Sequence, residues 1–213
     1  MNCKLFTVNP IQENCYVIWD ETTHDGAIID CGAWKDAERQ DIAAYIDKEK
    51  INLRYALQTH CHFDHIWGTG FIHDKYGLKP KCHPLDVETY SLAPEMVQRW
   101  FRMPLENMPE LDATLSESTT LPLAGTEIQV LHTPGHTPGG VCFYLPEARL
   151  VFSGDTLFRM GMGRTDLAGG SWQDEIKSIT TKLLTLPPDT RVLPGHGPET
   201  TIGEEMDQNP YLK

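Results

Sequence analysis

The chain is short of several things, and each shortage closes off a class of protein. Its six cysteines stand at positions 3, 15, 31, 61, 82 and 142. None is spaced as CxxC, so neither a zinc ribbon nor a thioredoxin-like redox pair is indicated. No run approaches the roughly 18 apolar residues of a membrane span. The opening Met1–Pro10 has neither a long apolar core nor a small-residue cleavage site, so no signal peptide is expected. A cytoplasmic location and free buried thiols follow as expectations. Positive charge is also scarce: 18 Lys and Arg against 30 Asp and Glu give a formal net charge of −12. Phosphate backbones need a basic face, so nucleic acid is not the expected partner, and nothing points to a membrane.

What remains is a chain of 213 residues, 40% of them hydrophobic. That is enough for one domain over 1–213 with a sizeable core. The segment Thr59-His60-Cys61-His62-Phe63-Asp64-His65 concentrates three of the nine histidines and a carboxylate. Imidazole and carboxylate are donors that divalent transition metals favour. The spacing i, i+2, i+4, i+5 fits neither one helix face nor one strand face. It fits a tight loop that turns several donors toward one point.

Strands are expected at Lys4–Val8, Asn14–Trp19, Gly26–Asp30 and Leu53–Thr59, the last running into the histidine loop. Further strands are expected at Glu127–His132, Val141–Leu145, Arg149–Ser153 and Thr190–Leu193. Helices are expected at Asp36–Lys50, at His65–Tyr76 with Asp64 as cap and Gly77 as stop, at Asp86–Phe101 and at Ser171–Leu186. Mixed strands and helices in both halves indicate an α/β protein. Four expected strand ends each lead to a metal-type donor: His60, His136 in Thr133–Gly140, Asp155 in Ser153–Thr156, and His196 in Pro194–Pro198. Functional loops gather outside the carboxyl ends of strands in α/β folds, and glycine lets such loops bend tightly.

These residues resemble the motifs of the metallo-β-lactamase-fold hydrolases: Asp30-Cys31-Gly32, His60–His65, the PGHTPGG segment around His136, Ser153-Gly154-Asp155 and Pro194-Gly195-His196-Gly197. The resemblance runs over nearly the whole chain. Within that superfamily the chain is most similar to the small glyoxalase II-like proteins, which are related to hydroxyacylglutathione hydrolase. Asn9–Cys15, Gly163-Arg164-Thr165-Asp166 and Asn209-Pro210-Tyr211-Leu212 carry that closer likeness. The resemblance implies an αββα four-layer sandwich, two mixed sheets flanked by helices, with metals at one edge. It implies that His60, His62 and His136 hold one metal, that Asp64, His65 and His196 hold a second, and that Asp155 bridges them. It does not extend to the C-terminal helical domain that supplies glutathione contacts in the full-length enzyme. Zinc is the metal implied first, with iron or manganese as alternatives.

Two close divalent cations lower the pKa of a shared water from about 15.7 toward about 7 and polarise a carbonyl. The expected reaction is hydrolysis of an activated acyl group on a small molecule, a thioester first and a lactone second. Asp64 would orient the nucleophile as well as bind metal. The nearest rival is a persulfide dioxygenase with one iron, which shares Thr59–His65 and Gly161–Asp166. The Pro194–Pro198 segment matches the hydrolases better. A non-catalytic binding protein of this fold would be expected to have lost a ligand, and none is lost here.

Arg164 is a candidate substrate contact, but an ionic brace with Asp166 is the favoured reading. Cys61 should point away from the metals as a buried thiol. His24, His73, His83 and His132 read as structural. Tyr90, Met96, Trp100, Phe101, Met103 and Met108 read equally as core or as a wall over the site. Glu204, Glu205 and Asp207 read as a solvated acidic segment.

Overall fold

The computed structural model describes residues 1–105 and 107–213. Strands β1 (Asn2–Val8), β2 (Glu13–Trp19) and β3 (Asp25–Ile29) run antiparallel in sequence order. Helix α1 (Asp36–Lys48) then crosses over to β4 (Asn52–Leu57), which lies parallel to β3. Helices α2 (Phe63–Ile66) and α3 (Thr69–Tyr76) lead to β5 (Pro80–Lys81), parallel to β4. These five strands form the first sheet, in the order β1-β2-β3-β4-β5.

A 3₁₀ turn at Pro84–Asp86 leads into α4 (Val87–Phe101). The second sheet is then laid down by β6 (Thr120–Leu123), β7 (Thr126–His132), β8 (Val141–Leu145) and β9 (Leu150–Gly154). A small hairpin of β10 (Leu157–Phe158) and β11 (Gly161–Met162) follows, then α5 (Trp172–Ser178), which winds on as a π-helical stretch at Ile179–Leu183. Strand β12 (Arg191–Pro194) returns parallel to β9, followed by β13 (Thr200–Thr201) and α6 (Ile202–Gln208). The order is β13-β12-β9-β8-β7-β6. Both sheets are mixed.

Period-two burial produces the layers. Along β2, Tyr16 and Ile18 face the second sheet, while Cys15, Val17 and Trp19 face α1 and α3. The inter-sheet core joins Tyr16, Ile18, Ile29 and Leu57 to Ile128, Val130, Phe143 and Phe152. Tyr16 meets Phe152 edge-on, with ring centroids 5.1 Å apart. Ile42 and Ile46 of α1 and Ile72 of α3 cover the outer face of the first sheet. Ile179, Leu183 and Ile202 cover Cys142, Val151 and Val192 on the outer face of the second. Each such side chain contributes about 1.5–3 kcal/mol by leaving water. The result is the four-layer α/β/β/α arrangement with two mixed sheets. No helix among the described residues is long and apolar enough to cross a membrane.

Several elements differ from expectation. The helix expected at His65–Tyr76 is two helices, and Asp64 lies inside the first, with His62 as its N-cap. The break falls where Gly68 packs on Cys31: the Gly68 amide donates to the Cys31 carbonyl at 2.8 Å, and a Cβ there would lie 2.7 Å from the Cys31 sulfur. The acidic segment near the end is a helix, α6, and Glu205 within it is fully buried. Its carboxylate accepts from the Met160 amide, the Asn209 amide side chain and the Thr200 hydroxyl. It therefore braces the β10–β11 hairpin.

Candidate metal centre

Strands β7 and β9 are both antiparallel to β8, and β12 is parallel to β9. The carboxyl ends of β7, β9 and β12 therefore lie along one edge of the second sheet. The end of β4 joins them there, because the Val141 amide donates to the Thr59 carbonyl at 2.8 Å. This edge carries the loops holding His60–His65, His136, Asp155 and His196.

The donors meet as interlocking groups. His60, His62 and His136 present ring nitrogens within 4.8 Å of one another, and so do the donor atoms of Asp64, His65 and His196. His60, His65 and Asp155 form a further group between them. His62 Nδ1 lies 2.8 Å from His136 Nε2. Asp155 Oδ2 is 3.5 Å from His136 Nε2 and 3.7 Å from His196 Nε2, while its Oδ1 is 3.4 Å from His65 Nε2. Asp155 thus touches donors of both triads. His60 Nε2, His65 Nε2 and Asp155 Oδ1 are buried without a hydrogen-bond partner. Unpaired buried polar atoms cost about 1–3 kcal/mol each, and three converging on one point fit a cation rather than a packed core. Nitrogen and carboxylate donors with no thiolate suit Zn, Fe or Mn.

The chain is similar to known proteins over nearly its whole length. The metallo-beta-lactamase superfamily profile matches residues 8–196. The chain belongs to the metallo-beta-lactamase superfamily. It is 37% identical to hydroxyacylglutathione hydrolase GloC of Haemophilus influenzae, covering 100% of this chain and 98% of that protein. The BLEG-1 B3 metallo-beta-lactamase superimposes with a TM-score of 0.89 at 35% identity, covering 100% of both chains. TTHA1623, solved in a di-iron-bound form, superimposes with a TM-score of 0.86 at 39% identity, covering 98% of this chain and 100% of that one. The chain is a metallo-hydrolase of this superfamily.

The layer behind the donors sets which ring nitrogen faces the centre. His136 Nδ1 lies 2.7 Å from the Arg164 carbonyl, so that nitrogen donates and Nε2 keeps its lone pair. His65 Nδ1 lies 3.1 Å from Asp30 Oδ2, with the same outcome. The Thr59 hydroxyl donates to Asp30 Oδ2 at 2.6 Å, which leaves it to accept from His60 Nδ1 at 3.1 Å. One carboxylate, Asp30, therefore orients His65 directly and His60 through Thr59. Such outer partners fix tautomer and ring angle in metal sites of this type.

Two more buried carboxylates hold the loops. Asp86 accepts from the Cys61 amide at 2.8 Å, the Thr137 hydroxyl at 3.1 Å and the Gly139 amide at 2.7 Å. It links the loop of His60 and His62 to the loop of His136. Glu175 accepts from the His136 amide at 2.9 Å. Burial, reinforced by the charge of Asp155, pushes the Glu175 carboxyl up to about 9. Gly135 (φ 151°) has no room for a side chain, since a Cβ there would lie 2.3 Å from the Glu175 backbone. Burial depresses two imidazoles of the first triad, His62 to about 3 and His60 well below the ordinary value. Both are thus neutral, as ligands must be. At His65, burial is outweighed by the Asp155 and Asp64 carboxylates, which raise it well above the usual range, so a cation at Nε2 would take the place of a proton there. The same attraction holds Asp155 well below its ordinary value against the cost of burial.

All seven residues expected from the sequence come together at this edge. Arg164 is placed nearby, but its guanidinium grips Asp166 with two hydrogen bonds of 2.7 and 2.9 Å. Its backbone carbonyl, not its charge, touches His136. Cys61 is buried beside Cys82, away from the donors. His83 and His132 stack on each other at 4.1 Å. Sequence reasoning missed the roles of Asp30, Asp86 and Glu175. Asp30 sits inside a quoted motif directly after the apolar run Ala27–Ile29, and a carboxylate there is a usable signal of an internal partner. Asp86 and Glu175 look like ordinary first-turn helix acids, and nothing in their spacing marks them.

Proposed function

We propose that this protein is a dinuclear metal-dependent thioesterase, with His60, His62 and His136 at one cation, Asp64, His65 and His196 at the other, and Asp155 shared. The observation that carries this reading is the burial of His60 Nε2, His65 Nε2 and Asp155 Oδ1, unpaired, between two complete donor triads. Asp64 and His65 lie in the run shared with the one-iron oxygenase, so it is His196, in the segment that matches the hydrolases, that supports a hydrolase. When bound, such a cation pair supplies Lewis acidity to a carbonyl oxygen and makes hydroxide available near neutral pH.

The chain's own residues do the rest. Asp30, Thr59 and the Arg164 carbonyl hold three imidazoles in the tautomer that points a lone pair inward. Asp64 places one oxygen 3.2 Å from His196 Nε2 and borders the cleft over the centre. From there it accepts a hydrogen bond from the attacking water and orients it toward the acyl carbon. Phe63, Met96, Trp100, Ile11 and Leu167 border the same cleft, and Phe63 is 2% exposed. They keep bulk water from the far side of the acyl group. Zinc is the cation we assign first; the di-iron form of TTHA1623 makes iron the alternative.

Elemental analysis of purified protein, with His62→Ala and His196→Ala variants, tests the ligand set. The expected result is two equivalents of metal in the parent and fewer in each variant, with thioester hydrolysis following metal content. Full metal content in both variants would overturn the assignment.

A further inference from the structure

The cleft over the donors is lined by Ile11, Phe63, Met96, Trp100 and Leu167 on its walls. Met96 and Trp100 stand four residues apart on α4, so they present one continuous strip. Trp100 meets Phe63 edge-on at 5.5 Å. Trp100 remains 49% exposed and Ile11 37% exposed. Both border the cleft and stay open to a ligand that enters it.

The polar groups of the cleft are already committed. Among the described residues lining it, Arg164 is the one Lys or Arg. Its guanidinium is forked onto Asp166, so the pair carries no net charge toward a substrate. The proposed ligands His62, Asp64, His136, Asp155 and His196 complete the polar lining. What is left to meet an acyl group is the apolar wall. The cleft holds about 150 Å³. That is room for about five water-sized groups, enough to enclose a short acyl chain but not a whole carrier.

We infer that the acyl group recognised by this site is short, uncharged and apolar, seated against Met96 and Trp100. This rests on the thioesterase reading above. Water supplies the oxygen bonded to the acyl carbon, the carbon–sulfur bond breaks, and the products are a carboxylate, a thiol and one proton.

The test uses metal-loaded protein and acetyl, propionyl and butyryl thioesters of N-acetylcysteamine, beside the lactoyl thioester of the same carrier. If each methylene is buried on the wall, kcat/KM rises about fourfold per added methylene, and the butyryl ester exceeds the lactoyl ester. Trp100→Ala flattens the series toward a constant value. A flat series in the parent, or preference for the lactoyl ester, overturns the inference while leaving thioester hydrolysis standing. The second readout needs no turnover: quenching of Trp100 fluorescence by non-hydrolysable S-methyl and S-butyl thioethers of N-acetylcysteamine, with Trp100→Phe identifying the signal. Tighter binding of the butyl compound by tenfold or more supports the wall even if no thioester is hydrolysed. Equal affinities would remove it.

Discussion

Replacing Asp30 by asparagine removes one charge and turns one acceptor into a donor, and the structure says what that does. Asp30 is 2% exposed. It accepts from the Thr59 amide at 2.7 Å, the Thr59 hydroxyl at 2.6 Å and His65 Nδ1 at 3.1 Å. An asparagine has a single acceptor oxygen. If that oxygen serves the Thr59 amide, the side-chain NH₂ faces the Thr59 hydroxyl and His65 Nδ1, and both must reverse. His65 then carries its proton on Nε2, pointed at the centre, and the His60–Thr59 hydrogen bond loses its direction. Asp30 has a φ of 51°, a conformation asparagine tolerates well, so the backbone is not the cause of any loss. Each charged hydrogen bond is worth about 1.5–3 kcal/mol, and loss of such an outer partner costs about 10–100-fold in metal affinity. Because His60 and His65 lie in different triads, Asp30→Asn should weaken both cations. Thr59→Val keeps the His65 contact, so it should weaken chiefly the one held by His60. Chelator competition on folded protein, verified by circular dichroism, gives both constants. Parental affinity for both cations in a folded Asp30→Asn protein would refute the idea that this carboxylate sets the tautomers.

Two further outcomes are expected. Glu175 ionises near 4.5 when unfolded but is pushed up to about 9 by burial in the fold. Its folded form binds the extra proton, so stability is greatest below the unfolded pKa and falls as pH rises through the window up to about 9. Urea unfolding of metal-free protein at about pH 6 and about pH 8 should show a loss of about 2 kcal/mol from this group. Glu175→Gln should remove that loss, and an unchanged pH slope in the variant would show the carboxyl to be ionised in the fold. Arg164→Ala should change stability by less than about 1 kcal/mol, since its ion pair with Asp166 is exposed. Metal content should also hold, because His136 is served by the residue's backbone carbonyl; a metal-depleted Arg164→Ala protein on elemental analysis would contradict that.

The strands that build the inter-sheet core were readable because apolar side chains alternate along Glu127–His132 and run unbroken along Cys15–Trp19 between turn signals. The donor set was readable because imidazoles and carboxylates stand at strand ends in glycine-rich turns. Strand β6 was not, since Thr120–Leu123 is four residues long and carries Pro122. The split between α2 and α3 depends on Gly68 meeting Cys31, a contact from 37 residues upstream that no local window contains. Glu205 looked solvated because its neighbours Glu204 and Asp207 are. Its burial is decided by Thr200, Met160 and Asn209, which only the fold assembles. Asp86 was expected at a helix start, and it is there, but its carboxylate turns inward to the two donor loops instead of capping α4.

That inward turn bears on how the molecule assembles in time. Asp86 binds amides 25 residues behind it and 53 residues ahead, one in a loop of each sheet. The Asn14 side chain reaches across 180 and 183 residues to the carbonyls of Pro194 and Gly197, on either side of His196. Contacts this distant in sequence form late, after the chain entropy of bringing both sheets together has been spent. If the donors are gathered after the rate-limiting barrier to folding, a cation has no assembled site to seize before the sheets dock. Its binding energy then appears on the unfolding limb, slowing escape from the native state while leaving the folding rate nearly unchanged.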